Sequence, residues 1–226
     1  MMTMKISVCI PVYEQKGLGL GFLKHNLDML ARQTFKDFEV VVSDNSTYFI
    51  RERMESLCKE YPFVNYFHNP VKGISVNTNN AIKQAKGELI KIIFQDDFLY
   101  DENSLQEVVD NFKGDWMVSA CEHSPDGKTM VRSFYPSYNA NIHLGNNTIS
   151  SPSVLTIKND NPLLFDENLT MLMDVDYYKR CYEKYGEPTI LNKINIVNRI
   201  GEHQISLNIS SVQMGEELEY IKKKYV

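Results

Sequence analysis

The chain has 226 residues, a length that fits one α/β domain, and its 43% of apolar and 23% of charged residues are ordinary for a globular protein with a full core. The net charge of −5 disfavours a dedicated nucleic-acid-binding protein, which usually has a basic surface, and leaves room only for a local basic patch.

The cysteines and the apolar runs indicate where the protein works. The four cysteines lie far apart and form no CxxC pair, so they fit neither a zinc site nor a small disulfide framework. We expect buried free thiols in a reducing compartment. No stretch approaches the roughly 20 apolar residues of a membrane span, and the N-terminus lacks the plan of a signal peptide. These features predict a cytoplasmic protein without an integral membrane segment.

Strand and helix patterns alternate through the first half of the chain. Runs of β-branched and aromatic residues predict strands, and apolar residues three or four positions apart predict helices. Gly87 directly follows one predicted helix and suits its C-cap. Residues 125–165 are rich in Asn, Ser, Pro and Gly. The predicted strands are 6–10, 38–42, 63–67, 89–94 and 153–157, and the predicted helices are 17–32, one through Met54 and Leu57, 75–86, one beginning at Asp101, 174–185 and 210–226.

This alternation predicts right-handed βαβ units and a parallel, doubly wound sheet with helices on both faces. No internal repeat or long linker divides the chain, so we expect a single domain over residues 1–226. The glycines Gly17, Gly19 and Gly21 do not have the GxGxxG spacing of a dinucleotide site. We interpret them as a flexible loop that opens the first helix.

Three predicted strands end in polar or turn residues. The segments PVYE, SDNS and QDD begin at Pro11, Ser43 and Gln95. In an open α/β sheet, ligands bind at the carboxyl ends of the strands. A carboxylate in such a place can instead cap the next helix, but three ends that converge on one crevice favour a binding site.

Several segments occur in a specific order along almost the whole chain. They are ISVCIPVYE, EVVVSDNST, GISVNTNNAIKQAKGELI and IIFQDDFLY, then GNNTISSPSVLTIK, FDENLTMLMDVDYYKR and NRIGEHQIS. This succession resembles the family 2 glycosyltransferases. The resemblance implies a GT-A-like fold with a Rossmann-type, mostly parallel sheet and a small acceptor-side extension. It also implies transfer of a sugar from a UDP-type donor to an acceptor hydroxyl, with inversion. Residues 1–115 would be the nucleotide-sugar-binding half and residues 116–226 the acceptor-side half.

The resemblance assigns the nucleotide site by position. Asp44 would accept a hydrogen bond from the imide N–H of uracil or thymine. Asn79 lies in the segment that would close over ribose and diphosphate, and the alternative for Asn79 and Asn80 is a solvated helix face. The other residues implied to bind the nucleotide are Pro11, Tyr13, Glu14 and Asp96.

The same resemblance implies a Mn²⁺ or Mg²⁺ site. Asp96 and Asp97 match the end of the family's Asp-x-Asp motif, but Phe94 stands in place of the first aspartate. These ions favour carboxylate oxygen and typically bind one or two carboxylates plus substrate phosphates. Asp96 is the first choice of ligand and Asp97 the second. His203 matches a late histidine that completes the metal shell in part of the family, and its alternative is a structural role.

By position, Asp174 would be the general base that removes the proton of the acceptor hydroxyl. Asp176 stands two residues on, so it cannot share the helix face of Asp174. A charge in the first turn that favours the helix dipole is its simplest role.

The acceptor site is expected on residues 133–152. Tyrosine rings can stack on sugars, and asparagine side chains can bond their hydroxyl groups. The acceptor predicted from these residue types is a carbohydrate, such as a growing surface glycan. The candidate residues are Tyr135, Tyr138 and Asn146.

Two rival functions stay open at this point. A sugar-1-phosphate nucleotidyltransferase has a related architecture, but it usually carries a glycine-rich, basic loop after the first strand, where this chain reads VYEQ at 12–15. A catalytically inactive nucleotide-sugar-binding protein is suggested by Phe94. The joint presence of Asp96, Asp174 and His203 argues against that second rival.

Overall fold

The structure is a computed structural model that describes residues 4–204, 207 and 209–225. Residues 205 and 206 of the segment NRIGEHQIS, and the last residue of the predicted C-terminal helix, lie outside the described residues. The strands are β1 (Ile6–Val12), β2 (Phe38–Asp44), β3 (Val64–His68), β4 (Leu89–Ile92), β5 (Phe98–Leu99), β6 (Trp116–Ser124), β7 (Arg132–Phe134), β8 (Leu155–Lys158) and β9 (Thr189–Arg199). The α-helices are α1 (Gly19–Ala31), α2 (Tyr48–Cys58), α3 (Ile74–Gln84), α4 (Ser104–Asn111), α5 (Met173–Tyr185) and α6 (Ser211–Lys224).

The strands form one sheet in the order β3-β2-β1-β4-β8-β6-β9-β5, with β7 paired to β6. The first four strands are mutually parallel. β8 then runs antiparallel to both of its neighbours, and β6 and β9 return to a parallel pair. Every residue of β1 and β2 is buried, as expected for strands covered by helices on both faces. The predicted α/β class is confirmed, with a mixed extension after the parallel half.

The apolar residues of α1 that lie at helical spacing pack against the sheet in the core. Leu23, Leu27 and Leu30 of α1 are fully buried in the same apolar cluster as β1 and β2. All four cysteines lie within the described residues, and they are buried and unpaired, as predicted. No helix in the described part of the chain is long and apolar enough to cross a membrane.

Two expectations about local structure were wrong. Gly87 is not the C-cap of α3, because that helix ends earlier, at Gln84. Gly87 instead packs on β1, where an added Cβ would lie 2.5 Å from the backbone nitrogen of Ser7. The strand predicted over 153–157 begins as a 3-10 turn, Pro152–Val154, and is extended only in β8.

The sheet topology places a crevice beside β1. The chain proceeds from β1 to β2 and β3 on one side, and β4 lies on the other side. Strand order reverses at this point, and open α/β sheets bind ligands outside the carboxyl ends of the strands at such a reversal.

Candidate active site

A cavity of about 770 Å³ opens at the carboxyl ends of β1 and β4. Its walls come from both halves of the chain, since residues after β1 and β4 face residues of β7, α5 and the loop before β8. Of the predicted site residues, the cavity wall contains Pro11, Tyr13, Glu14, Asp96, Asp97 and Asp174.

Gln95 fixes the loop after β4 to the loop after β1. Its side-chain oxygen accepts from the backbone N–H of Tyr13 (2.9 Å), and its amide donates to the carbonyl of Gly19 (2.6 Å). Asn26 of α1 donates to the carbonyls of Gln95 (2.9 Å) and Asp97 (2.6 Å). The sequence placed Gln95 only in the polar segment after β4, and its role in joining the two loops was not predicted.

The two aspartates after β4 have different surroundings. Asp97 is buried, and it accepts hydrogen bonds from the backbone N–H of Arg199 (3.0 Å) and from the hydroxyl of Ser151 (3.0 Å). Burial, with a further contribution from the charge of Asp96, raises the pKa of Asp97 to about 7. Asp96 is more accessible, and its Oδ2 lies 3.2 Å from Nε2 of His203. Asp96 is therefore the carboxylate that is better placed to meet a ligand.

The donor atoms beside Asp96 fit a divalent ion held jointly with a substrate. Nε2 of His203 is buried and has no properly directed hydrogen bond in the described part of the chain, although it touches Asp96. The described residues contain no group of three His, Cys, Asp or Glu side chains that could hold a metal by themselves. Mg²⁺ and related ions commonly bind through one or two carboxylates plus substrate phosphates. The set of Asp96 and His203 matches that sparse pattern.

Asp174 lies in the first turn of α5 and lines the cavity. Its Oδ1 accepts from the backbone N–H of Val175 (2.7 Å), and its Oδ2 accepts from the side-chain amide of Asn147 (2.7 Å). Burial raises the pKa of Asp174 to about 7, against the opposite effect of these donors. A carboxylate with a pKa near the working pH suits a general base. The sequence predicted a role for the exposed Asn146, whereas it is the next residue, Asn147, that contacts Asp174.

Asp176 does not line the cavity, and its contacts go beyond the first-turn charge that its position predicted. It is fully buried, and its Oδ2 pairs with Arg180 at 2.8 Å. Its Oδ1 lies 2.7 Å from Nζ of Lys224 and accepts from the hydroxyl of Tyr225 (2.8 Å). These contacts attach the C-terminal helix α6 to α5.

Two predicted nucleotide-binding residues lie behind the cavity wall. Asp44 has no exposed surface, and it accepts from the backbone N–H of Ser46 (2.7 Å) and from the hydroxyl of Tyr66 (2.7 Å). Asn79 is buried and exchanges hydrogen bonds with the backbone of Phe165 (2.7 and 2.9 Å). Asn77, one helical half-turn away, lines the cavity instead.

The predicted acceptor residues also lie away from the described cavity wall. Tyr138 stacks on Tyr182 with ring centroids 4.0 Å apart, and Asn146 is exposed. Tyr135 follows β7, a strand in which Arg132 and Phe134 line the cavity. Because side chains alternate along a strand, Tyr135 points to the other side and is 57% exposed. Phe134 is therefore the aromatic side chain of this strand that lines the cavity.

The chain matches a known protein family. The family model described as glycosyl transferase family 2 matches residues 7–176. The chain is 26% identical over 224 residues to the poly(ribitol-phosphate) beta-glucosyltransferase of Bacillus spizizenii, with 88% of this chain and 33% of that protein covered.

Two solved structures share the fold. One is S. aureus TarS 1-349 in complex with UDP-GlcNAc, with a TM-score of 0.68 and 21% identity, covering 96% of this chain and 65% of that one. The other is the mannosyltransferase PcManGT from Pyrobaculum calidifontis in complex with GDP-Man and Mn²⁺, with a TM-score of 0.64 and 15% identity, covering 98% of this chain and 64% of that one. The predicted GT-A-like fold is confirmed. The chain spans less than two thirds of the length of each of these three proteins.

Proposed function

This chain belongs to glycosyl transferase family 2, and on that premise we propose that it transfers a sugar from a UDP-type nucleotide sugar to a hydroxyl group of a carbohydrate acceptor. The observation that carries the proposal is a single cavity that contains both Asp174, a carboxylate with a pKa of about 7, and the acidic strand end at Asp96. The structural similarity to a protein crystallised with UDP-GlcNAc supports a UDP-type donor.

The donor nucleotide would occupy the end of the cavity formed by residues 1–115. Tyr13 and Glu14 line that end together with Asn45, the residue after β2. Asp44 is the proposed partner of the uracil imide N–H. Because Asp44 has no exposed surface, the side chains that cover it would have to move to admit the base. The contacts of Asn79 favour a different role, which is to hold the segment at 165–167 against α3.

Asp96 and His203 are the residues that would hold Mn²⁺ or Mg²⁺. The buried carboxylate of Asp97 lies beside Asp96 and would add negative charge near the ion. When bound, such an ion neutralises charge on a departing diphosphate. Arg199 braces this corner of the cavity, since its backbone N–H is bonded to Asp97 and its Nε to the carbonyl of Asp96 (3.2 Å). These two bonds from Arg199 help to keep the carboxylates of Asp96 and Asp97 close together. The described residues contain no group of three acidic, His or Cys side chains that could hold the ion, so substrate phosphates would complete its coordination.

Asp174 performs the proton transfer in the proposed reaction. The acceptor oxygen attacks the anomeric carbon while Asp174 takes its proton, and the bond from that carbon to the diphosphate oxygen breaks. A single displacement of this kind inverts the configuration of the sugar. A positioned base contributes roughly 10²–10⁴-fold to the rate.

The acceptor would enter between β7 and the first turn of α5, in the half formed by residues 116–226. Phe134 offers an aromatic face, and Arg132 offers donors for hydroxyl or anionic groups. A polyhydroxylated acceptor such as a surface glycan suits these side chains, and the Bacillus relative carries the name of a poly(ribitol-phosphate) glucosyltransferase.

A panel of nucleotide sugars tests the proposal. We expect one or more UDP-sugars with Mn²⁺ to raise the melting temperature and to release UDP slowly in the absence of acceptor. A sugar-1-phosphate nucleotidyltransferase would instead need pyrophosphate or a nucleoside triphosphate. Binding without any UDP release, with added glycan acceptors as well as without them, would identify an inactive nucleotide-sugar-binding protein and reject the transferase.

A further inference from the structure

The side chain of Asn147 has all its hydrogen-bonding groups in use. Its oxygen accepts from the backbone N–H groups of Ile149 and Ser150, both at 2.9 Å. Its amide nitrogen donates to the carbonyl of Ser150 (3.0 Å) and to Oδ2 of Asp174 (2.7 Å). A backbone N–H can only donate, so the oxygen of Asn147 must face the turn at 149–150 and its NH₂ group must face Asp174.

The turn that orients Asn147 is itself held from several sides. Ser150 has φ +99°, a value that a residue with a side chain rarely adopts. The hydroxyl of Tyr178 lies 3.1 Å from the carbonyl oxygens of both Ser150 and Ser151, and Asn198 donates to the hydroxyl oxygen of Ser150 (2.8 Å). The surroundings that maintain this backbone conformation therefore also fix the direction of the Asn147 amide.

We propose that Asn147 is a positioning residue for the general base, one that fixes the orientation of the Asp174 carboxylate and favours its ionised form. The inference rests on the proposed function, because it concerns the base of that reaction. Oδ1 of Asp174 accepts from the backbone N–H of Val175, Oδ2 accepts from Asn147, and the backbone N–H of Asp174 itself also interacts with the carboxylate. A carboxylate has about four lone-pair sites, so these donors leave lone pairs unused. One of these lone pairs can then take the acceptor proton.

The charge of Glu217 of α6 opposes the ionisation of Asp174 and raises its pKa. Burial of Asp174 acts in the same direction. Tyr178 of α5 also interacts with Asp174, but burial and the charge of Asp174 raise the pKa of Tyr178 well above its usual value, so its hydroxyl stays neutral. Among the described residues, the side chain that directly donates to the Asp174 carboxylate is that of Asn147, and the other N–H donors are the backbone groups of Val175 and of Asp174 itself.

The substitution Asn147→Asp tests the inference. It keeps an oxygen for the N–H groups of the turn but replaces the NH₂ group by an oxygen that faces Asp174. We expect the pKa of Asp174 to rise by about one unit or more, because a like charge at this distance disfavours ionisation. The measurement is the ¹³C NMR titration of aspartate carboxyl groups, with the Asp174 signal identified by its loss in Asp174→Asn. Asn146→Asp is the matched control, since it adds the same charge at the exposed neighbouring position.

A second variant and a second measurement keep the test decisive. Asn147→Ala removes the donor without adding charge, and it should raise the pKa of Asp174 by a smaller amount, with an acid limb of kcat that moves by the same amount and an unchanged donor KM. If Asp174 titrates at the wild-type pH in both Asn147 variants, the inference is wrong. If Asn147→Asp does not fold, the shift in Asn147→Ala decides. The titration needs no turnover, so a protein that releases UDP from no nucleotide sugar would reject the proposed function separately.

Discussion

Asp174 and Asp176 stand two positions apart in α5 and have opposite surroundings. Among the described residues, the hydrogen bonds to Asp174 come from N–H donors of neutral groups, and burial raises its pKa to about 7. Asp176 is paired with Arg180 and Lys224 and has no exposed surface. Residues two apart on a helix face different directions, so one carboxylate reaches the cavity while the other holds α6.

Replacing Asp174 by asparagine should preserve donor binding and abolish transfer. The amide keeps the shape and can still accept from Val175, but it cannot take a proton, so kcat should fall by roughly 10²–10⁴-fold. The measurements are calorimetric UDP binding and steady-state turnover. Asp160→Asn, at an exposed site, is the control. Turnover of Asp174→Asn near the wild-type rate would remove this residue from the role of base.

Most of the elements in the parallel half follow from local sequence patterns. β1, β2 and β4 have β-rich runs, and Leu23, Leu27 and Leu30 mark α1 at helical spacing. The long strands β6 and β9 were not predicted, because their sequences, WMVSACEHS and TILNKINIVNR, mix polar residues into the pattern. In β6, residues such as Ser119 and His123 are buried by tertiary packing rather than by their own hydrophobicity.

The site residues divide in a similar way. Residues in the segments that follow a strand, such as Tyr13 after β1 and Asp96 in the loop after β4, were predictable because the carboxyl ends of parallel strands meet at one edge. Residues whose direction depends on tertiary packing were not. Asn77 and Asn79 lie on opposite sides of α3, and Tyr138 is turned towards Tyr182.

Gly19 is required where α1 begins, which corrects its interpretation as part of a flexible loop. A Cβ at this position would lie 2.1 Å from the carbonyl oxygen of Tyr13 and 2.7 Å from the side-chain nitrogen of Gln95. Gly19→Ala should therefore destabilise the protein by about 1–3 kcal/mol, since the backbone at Tyr13 and the side chain of Gln95 must both shift. Chemical unfolding measures this difference.

Gly21→Ala is the matched control for that prediction. Gly21 lies in the same helix, with nothing within 4 Å of an added Cβ, so alanine should leave stability unchanged or raise it by up to about 1 kcal/mol. Equal effects of the two substitutions would contradict the role assigned to Gly19.

Glu217 of α6 caps the chain just before α5. Its carboxylate accepts from the backbone N–H groups of Thr170 (3.1 Å), Met171 (2.9 Å) and Leu172 (3.0 Å). Glu217→Ala leaves these groups without their acceptor and should cost about 1–3 kcal/mol in the free energy of unfolding. The exposed neighbour offers the control Glu216→Ala, which we expect within about 0.5 kcal/mol of wild type. Wild-type stability of Glu217→Ala would show that α6 is held by its other contacts.

Both halves of the molecule supply residues to the cavity wall, so a ligand that binds there should stabilise the whole fold. Asp174, the proposed base, lies on α5 in the second half, whereas Asp96 follows β4 in the first. UDP with Mn²⁺ should raise the melting temperature, and a ligand at about 100 times its Kd stabilises the folded state by about 2.7 kcal/mol. EDTA should remove most of this shift, as should Asp96→Ala, whereas Asp115→Ala at an exposed position should not. An equal shift with EDTA and with Mn²⁺ would reject a metal-bridged diphosphate.

β4 acquires its second neighbour late in synthesis. β8, which pairs with it through Leu89–Lys158 and Ile90–Ile157, follows β5, α4, β6 and β7 in the chain. Until β8 is present, β4 is an edge strand with unpaired backbone groups, and such edges pair readily with other chains. Pairing between distant segments also slows folding, because a long loop must close first. The first 115 residues alone would therefore be prone to aggregate, because the strand that covers this edge of β4 comes from residues 116–226.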